Sequence, residues 1–247
     1  MKAAAPDHAA TRAGTPLFMY LAWHEEHDPH QASRDNIARF DGTVRSDTYK
    51  VTAAQIWTMD VQVGRVVDAL NVTGMLSNAV VSLSSDNGGP LDHANNWPHR
   101  GGKHTVYEGG IRTPFIAHWP GVIKPGLTEQ VGHIIDISAT FRDITGAKYP
   151  GEILGNRTKP PVGKSLLPVF KGNKREPHAE IYWHFNRANA LRQGDLKVVR
   201  AGKAWELYDL KADPTETNNL AKERPEKTAE LAKMWEDWRE DYKNKPN

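Results

Sequence analysis

The stretch VVSLSSDNGG, residues 80–89, decides how the rest of the chain is interpreted. An apolar, β-branched run predicts a buried strand, and it ends abruptly at Asp86 and Asn87, which two glycines follow. Asp, Asn and Gly are ordinary turn residues, so these letters alone favour a turn. The alternative is a site, because one carboxylate beside one amide oxygen suits a hard divalent cation.

The segments before this stretch predict a parallel sheet. Residues 17–23, LFMYLAW, predict a strand buried on both faces, and residues 47–70 predict an amphipathic helix with apolar positions three and four apart. A strand, a helix and the strand at residues 79–84 form a right-handed βαβ unit. Ligands of such sheets bind at the carboxyl ends of strands, which makes His27, Asp86 and Asn87 site candidates.

The histidines of HEEHDPH, residues 24–30, allow two functional interpretations and one without function. His24, His27 and His30 have a spacing that could bind zinc on a helix, but Pro29 argues against a helix there. A solvated loop is the ordinary alternative. A single histidine at the strand end, His27, could instead act on an anion or a leaving group.

The stretch WPHRGGKHTVYEGGIR, residues 97–112, places cations around two glycine pairs. Arg100, Lys103 and Arg112 could bind an anionic group that approaches the backbone closely, although an ordinary surface loop has the same composition. It is not a phosphate-binding P-loop, because Trp97 stands where the first glycine would fall.

The downstream part predicts a second, smaller unit. A helix capped by Asp136 and ended by Gly146 is expected first, and the pattern changes to short antiparallel strands near Gly172. A last helix begins at Pro225, with an aromatic face that we interpret as packing. The prediction is an α/β domain over residues 1–171 and a small α+β subdomain over residues 172–247.

The composition excludes several classes of function. The 247 residues contain no cysteine, which excludes disulfides and cysteine nucleophiles. The 32 basic residues are spread along the chain and nearly balanced by 30 acidic ones, so nucleic acid is not an expected partner. No run reaches the ~20 apolar residues of a membrane span, and no signal-peptide pattern is found, so the compartment is not predicted.

Taken in order, these pieces resemble the sulfatases, in particular the arylsulfatase and N-acetylgalactosamine sulfatase-like group of the alkaline-phosphatase superfamily. Four stretches carry the resemblance: PLFMYLAWHEEHDPHQAS, MDVQVGRVVDAL followed by SSDNGGP, NNWPHRGGKHTVYEGGIRTPFIAHWPG, and ELYDLKADPTETNNLA. The resemblance implies an alkaline-phosphatase-like, mostly parallel sheet flanked by helices, with a small C-terminal antiparallel sheet plus helix. It also implies hydrolysis of sulfate esters.

The resemblance assigns roles to individual residues. Asp86 and Asn87 match metal ligands that usually bind calcium, or another divalent cation such as magnesium. His27 matches a residue that contacts the sulfate ester, and Lys103 matches the lysine that holds the sulfate oxygens. Glu108 and Arg112 match loop architecture.

The sequence departs from the family in its nucleophile. The motif C-x-P-S-R or S-x-P-x-R, whose first residue is oxidised to formylglycine, is not found, and the nearest match, residues 96–100, begins with Asn96. No formylglycine can come from a cysteine here. We therefore expect part of a sulfatase site, completed by self-association or by an N-terminal sulfatase half. The substrate would be a sulfated small molecule or sugar. A phosphomonoesterase or phosphodiesterase of the same superfamily and a non-catalytic assembly module are the alternatives.

Overall fold

The computed structural model describes residues 16–25 and 27–244. The chain divides into two compact units, one ending at Val66 and the other beginning at Val67, and each is described by itself. The N-terminal residues 1–15, in which no signal-peptide pattern was found, lie outside the described part. Among the described helices, none combines the length and the apolar character that crossing a membrane requires.

The predicted strand at residues 17–23 is not formed. This apolar run forms neither a helix nor a strand, and none of the sheets in the described part of the chain includes it. Its side chains are exposed, Phe18 to 72% and Tyr20 to 82%. The parallel pair of the predicted βαβ unit is therefore not found, because no strand in the described part of the chain pairs with this run.

Two helices follow in the first unit, and the second continues into the other unit. Helix α1, Arg34–Ala38, begins after Ser33, whose hydroxyl accepts a hydrogen bond from the Asn36 amide. Helix α2, Asp47–Val72, confirms the predicted amphipathic helix. Its fully buried residues are Thr52, Ala54 and Gln55, while the predicted apolar face stays partly exposed, with Ile56 at 46%. The apolar periodicity therefore predicted the helix correctly, but it did not predict which residues of the helix are buried.

The second unit begins with a short antiparallel sheet. After a 3₁₀ turn, Leu76–Asn78, strand β1, Val81–Ser84, pairs antiparallel with strand β2, Phe115–His118. The strand predicted at residues 79–84 is thereby found over residues 81–84, but the prediction that it is buried and paired in parallel is wrong. Neither strand contains a fully buried residue.

The connection after β2 contains two helices and a small hairpin. Helix α3, Glu108–Ile111, precedes β2 and lies between β1 and β2 in the sequence. Helix α4, Ile135–Thr145, follows β2 and ends, as predicted, at Gly146, which has the left-handed conformation. Strands β3, Glu152–Ile153, and β4, Asn156–Arg157, form the hairpin. Helix α5, Leu167–Phe170, precedes the predicted boundary at Gly172.

Asp136 organises this region by accepting hydrogen bonds from four groups. The amides of His133 and Lys164 donate to its carboxylate at 2.9 and 2.8 Å. The Arg175 guanidinium and the His178 imidazole each approach it to 2.8 Å, and Asp136 itself is fully buried. The prediction that Asp136 caps the helix is wrong, because the N-cap is Ile134 and Asp136 lies in the first turn. Asp136 is instead a buried ionic centre that ties α4 to residues 164–178.

The C-terminal part confirms the predicted antiparallel sheet plus helix. Strands β5, Ile181–Phe185, β6, Ala188–Gln193, β7, Leu196–Arg200, and β8, Glu206–Asp209, pair in that order, all antiparallel. Helix α6, Pro225–Asn244, packs Leu231 and Trp235 against one face of this sheet. The indole of Trp235 donates to the Trp183 carbonyl at 3.0 Å, which fixes the helix against β5.

Candidate functional site

Asp86 and Asn87 lie immediately after β1. Asp86 is exposed and Asn87 is half-buried, and the Asn87 amide nitrogen donates to the Asp86 carboxylate. The Ser85 hydroxyl donates to the Asn87 carbonyl at 2.9 Å, which holds the turn. Two neighbouring oxygen-bearing side chains thus stand at the end of the strand, with the carboxylate open to solvent.

Close backbone packing explains the glycines around this turn. The Gly88 amide donates to the Gly110 carbonyl at 2.9 Å, and a Cβ atom on Gly88 would lie 1.8 Å from the Gly109 carbonyl oxygen. A Cβ atom on Gly102 would lie 2.5 Å from the Gly89 carbonyl oxygen. No real Cβ atom fits at such distances, so glycine is required at both positions. We call these three interlocked segments, residues 86–89, 100–104 and 107–110, the glycine cluster.

Lys103 belongs to the same cluster. Its backbone amide donates to the Gly89 carbonyl at 3.1 Å, and its side chain is half-buried. Asn96 holds the other segment, because its amide oxygen accepts from the Gly89 amide at 2.9 Å and its amide nitrogen donates to the Gly89 carbonyl at 2.8 Å. Asp86, Asn87 and Lys103 therefore lie on loops that are bonded to each other. Asn96, which begins the nearest match to the nucleophile motif, is thus hydrogen-bonded to both backbone groups of Gly89.

His27 lies in the first unit, whereas Asp86, Asn87 and Lys103 lie in the second. It is exposed, and its Nδ1 atom lies 3.2 Å from the Asp28 carbonyl oxygen. Residue 25 is in a turn, residues 27–29 form bends, and none of the described residues from 24 to 30 is helical, which removes the geometric basis of a zinc-binding helix face. His30 instead contacts Gln55 at 3.0 Å and Asp28 at 3.2 Å.

Arg100, one of the predicted anion-binding cations, is engaged by the C-terminal sheet. Its guanidinium donates to the Tyr208 hydroxyl at 2.8 Å, lies 3.5 Å from Glu206, and stacks 4.0 Å from the Tyr107 ring centre. Burial, together with a hydrogen bond to Glu206, raises the pKa of Tyr107 to about 12, so this phenol keeps its proton and donates. The contacts anchor the glycine cluster to β8.

A buried ion triad lies below the same loop. The Lys197 ammonium is 2.8 Å from both Glu108 and Glu216, and all three residues are at most 3% exposed. The Glu216 carboxylate also accepts from the Glu108 amide at 2.6 Å. Burial raises the pKa of Glu216, although Lys197 opposes that shift. Glu108 is thus loop architecture, at the first residue of α3.

Sequence reasoning did not find the partners of Glu108. Lys197 stands between apolar residues in LKVVR, and Glu216 stands in a polar loop more than a hundred residues after Glu108. The one local signal is a lysine within a β-branched run, since an unpaired lysine is rarely buried. That signal identifies Lys197 but not its partners.

Comparison with known proteins gives the same assignment from both ends of the chain. Residues 4–147 match the family described as Sulfatase, and residues 101–243 match the family described as N-sulphoglucosamine sulphohydrolase, C-terminal. A sulfatase of Formosa agariphila is 32% identical over 90% of this chain and 45% of its own length. An N-acetylgalactosamine-6-O-sulfatase of Bacteroides thetaiotaomicron is 27% identical over 90% of this chain and 47% of its own length.

Solved structures agree. The crystal structure of Ps i-CgsB in complex with k-i-k-neocarrahexaose has a TM-score of 0.80 and 26% identity, over 94% of this chain and 52% of that one. The chain thus spans about half the length of the curated relatives that it matches. The fold is α/β of the alkaline-phosphatase-like type. With family matches that together cover residues 4–243, this chain belongs to the sulfatase family.

Proposed function

We propose that this chain contributes part of the active site of a metal-dependent sulfate-ester hydrolase. Membership of the sulfatase family supports the reaction class. The observation that carries the proposal is the glycine cluster, in which the Lys103 amide is bonded to Gly89, two residues beyond Asn87. A cation-binding pair and an anion-binding ammonium on interlocked loops suit an ester that carries negative charge.

In this proposal Asp86 and Asn87 hold a divalent cation, with calcium as the expected ion. The donor set fits, because Asp86 is exposed and the Asn87 amide already contacts its carboxylate. A half-turn of that amide exchanges its nitrogen for its oxygen and offers two oxygens to one hard ion. Calcium takes about 6–8 oxygen ligands, so other groups must complete the shell. The bound ion would supply Lewis-acid stabilisation of sulfate charge.

The protein's own side chains would act on the ester. The Lys103 ammonium is proposed to neutralise charge on the sulfate oxygens. For His27, in the first unit, we propose a contact with a sulfate ester. The 247 residues include no cysteine that could be oxidised to formylglycine, so none of Asp86, Asn87, Lys103 and His27 is proposed as the nucleophile.

A sulfated sugar is the substrate class that we propose. One relative is named an N-acetylgalactosamine-6-O-sulfatase, and the structure of BT4656, 26% identical, contains its substrate D-glucosamine-2-N,6-O-disulfate. Such ligands combine a fixed anion with a ring that presents both polar and apolar surface. They require a cation for the sulfate and a flat contact for the ring.

Calcium titration tests the metal site. Replacing Asp86 with alanine removes the only full charge of the proposed pair, so the calcium binding heat in isothermal titration calorimetry should disappear. Replacing Asp60, an exposed aspartate on α2, with alanine is the matched control and should leave the heat unchanged. Equal binding by wild type and the Asp86→Ala variant would contradict the assignment.

We also propose that the apolar run at residues 17–21 pairs with a strand of another polypeptide. Its side chains are exposed by 41–82%, none of the described sheets includes it, and an apolar segment of this kind can pair with a strand of another chain. In a solution of the purified chain the partner is a second copy. A polypeptide that supplies the other half of a sulfatase's length would displace that copy.

Sedimentation velocity tests this association. The wild type should form dimers whose fraction rises with protein concentration, and replacing Tyr20 with lysine should shift the equilibrium to monomer by placing a charge in the apolar contact. Replacing Tyr242, an exposed tyrosine at 63%, with lysine is the matched control and should leave the dimer intact. A wild type that stays monomeric up to the highest soluble concentration would refute the proposal.

A further inference from the structure

His104, the residue after Lys103, has an unusual backbone conformation. Its φ angle is +72°, in the left-handed region that favours glycine, and the residue is exposed. Placing a side chain with a Cβ atom there costs on the order of 1 kcal/mol relative to glycine. Glycine occupies positions 101 and 102 of the same loop, before Lys103, yet a large ring stands at residue 104.

The His104 ring stacks on an aromatic residue of the C-terminal sheet. Its centroid lies 5.4 Å from that of Phe185, with the two planes only 23° apart. Phe185 ends β5 and remains 42% exposed. Because both residues stay exposed while one face of each ring covers the other, solvent reaches the remaining surface of the pair. The pair therefore forms an open aromatic surface, defined here as the His104–Phe185 wall.

The wall stands beside the proposed sulfate-holding group and near a further cation. Lys103 directly precedes His104, and both lie in one turn. Arg187, exposed, follows Phe185 by two residues in the β5–β6 turn. The lysine proposed to hold the anion and an exposed arginine are thus close in sequence to the two members of the aromatic pair.

We infer that the His104–Phe185 wall contacts the sugar ring of a sulfated saccharide whose sulfate is held by Lys103. Binding sites for such ligands combine apolar or aromatic surface with a few polar groups that fix orientation. The wall supplies the surface and Lys103 the fixed charge. This inference rests on the proposed function, and it adds the residues that distinguish a sulfated sugar from a bare sulfate ion.

The experiment compares two probes, inorganic sulfate and N-acetylgalactosamine 6-sulfate, in calcium-containing buffer by isothermal titration calorimetry. The wild type should bind the sugar sulfate more tightly than inorganic sulfate. In the His104→Gly variant the sugar sulfate should lose roughly five- to tenfold in affinity, as expected for one aromatic contact, while inorganic sulfate is unchanged. The Phe185→Ala variant should show the same selective loss, and the Lys103→Met variant should lose both probes.

A matched control separates the loss of the ring from the relief of backbone strain. Leu154, 95% exposed, also has a positive φ angle of +51°, so Leu154→Gly relieves strain away from the wall and should bind both probes as the wild type does. The melting temperature of the His104→Gly variant should equal or exceed that of the wild type, which shows that any lost affinity is not unfolding.

The outcomes distinguish the two proposals. If Lys103→Met abolishes binding of both probes but His104→Gly leaves their affinity ratio unchanged, the wall is refuted and the proposed function stands. If the wild type binds neither probe, or Lys103→Met has no effect, the proposed function fails and this inference fails with it.

Discussion

Replacing Lys197 with methionine should destabilise the protein by about 3–5 kcal/mol, the usual cost of removing one partner of a buried ion pair. Lys197 is fully buried between Glu108 and Glu216, at 2.8 Å from each. Methionine replaces the aliphatic part of the side chain but leaves two carboxylates facing each other without a cation. The unfolding free energy, measured by urea titration at pH 7, is expected to fall by this amount.

Lys233 provides the control for this substitution. It pairs with Asp237 on α6 at 2.8 Å, but both side chains are largely exposed, so Lys233→Met should leave the urea midpoint nearly unchanged. Adding Glu216→Gln to Lys197→Met removes one of the two uncompensated charges and should restore part of the lost stability. A Lys197→Met protein as stable as the Lys233→Met protein would show that the triad contributes nothing.

Replacing Asp136 with asparagine should cost about 3 kcal/mol at pH 7, because Arg175, only 3% exposed, then lacks a counter-charge. The loss should depend on pH. Burial alone would raise the pKa of Asp136, but the hydrogen bonds from Lys164, His133, Arg175 and His178 lower it below its ordinary value of 3.8. A lowered folded-state pKa contributes stability that is present above the ordinary value and is lost as the pH falls through the folded one.

Urea titrations of the wild type and the Asp136→Asn variant, from pH 7 down to pH 2, measure this dependence. The gap between the two curves should be widest near neutral pH and should close in acid, where the wild-type carboxylate becomes protonated. Asp60→Asn, a substitution on the exposed face of α2, should give a curve parallel to the wild type. A gap of constant size at every pH would mean that the charge of Asp136 is not what stabilises the fold.

Local patterns predicted the elements of this fold well, and non-local pairing less so. Helix α2, strand β1 and the left-handed end of α4 at Gly146 follow from periodicity and capping residues, which neighbouring positions determine. Residues 17–23 have an equally clear strand pattern, but a strand needs a partner to bond its backbone, and no described strand pairs with them. An apolar pattern predicts that a segment is buried, but it does not identify the part of the protein that covers the segment.

The same distinction applies to the candidate site. Asp86, Asn87 and Lys103 could be named from the sequence because each stands in a short motif with glycines, although their roles remain predictions. Their interlocking could not be predicted, because it depends on carbonyl oxygens that lie 1.8–2.5 Å from where a Cβ atom would be. The buried triad could not be predicted either, because Glu108 lies 89 residues from Lys197 and 108 residues from Glu216.

The anchoring of residues 100–108 on strands β7 and β8 has a consequence for engineering by recombination. Arg100, Tyr107 and Glu108 make their polar contacts with Glu206, Tyr208, Lys197 and Glu216. A chimera joined near Gly172, with its last third taken from another sulfatase, would therefore inherit mismatched halves of both polar networks. Grafts that transfer the loop together with the sheet should yield soluble hybrids where a swap of the sheet alone does not.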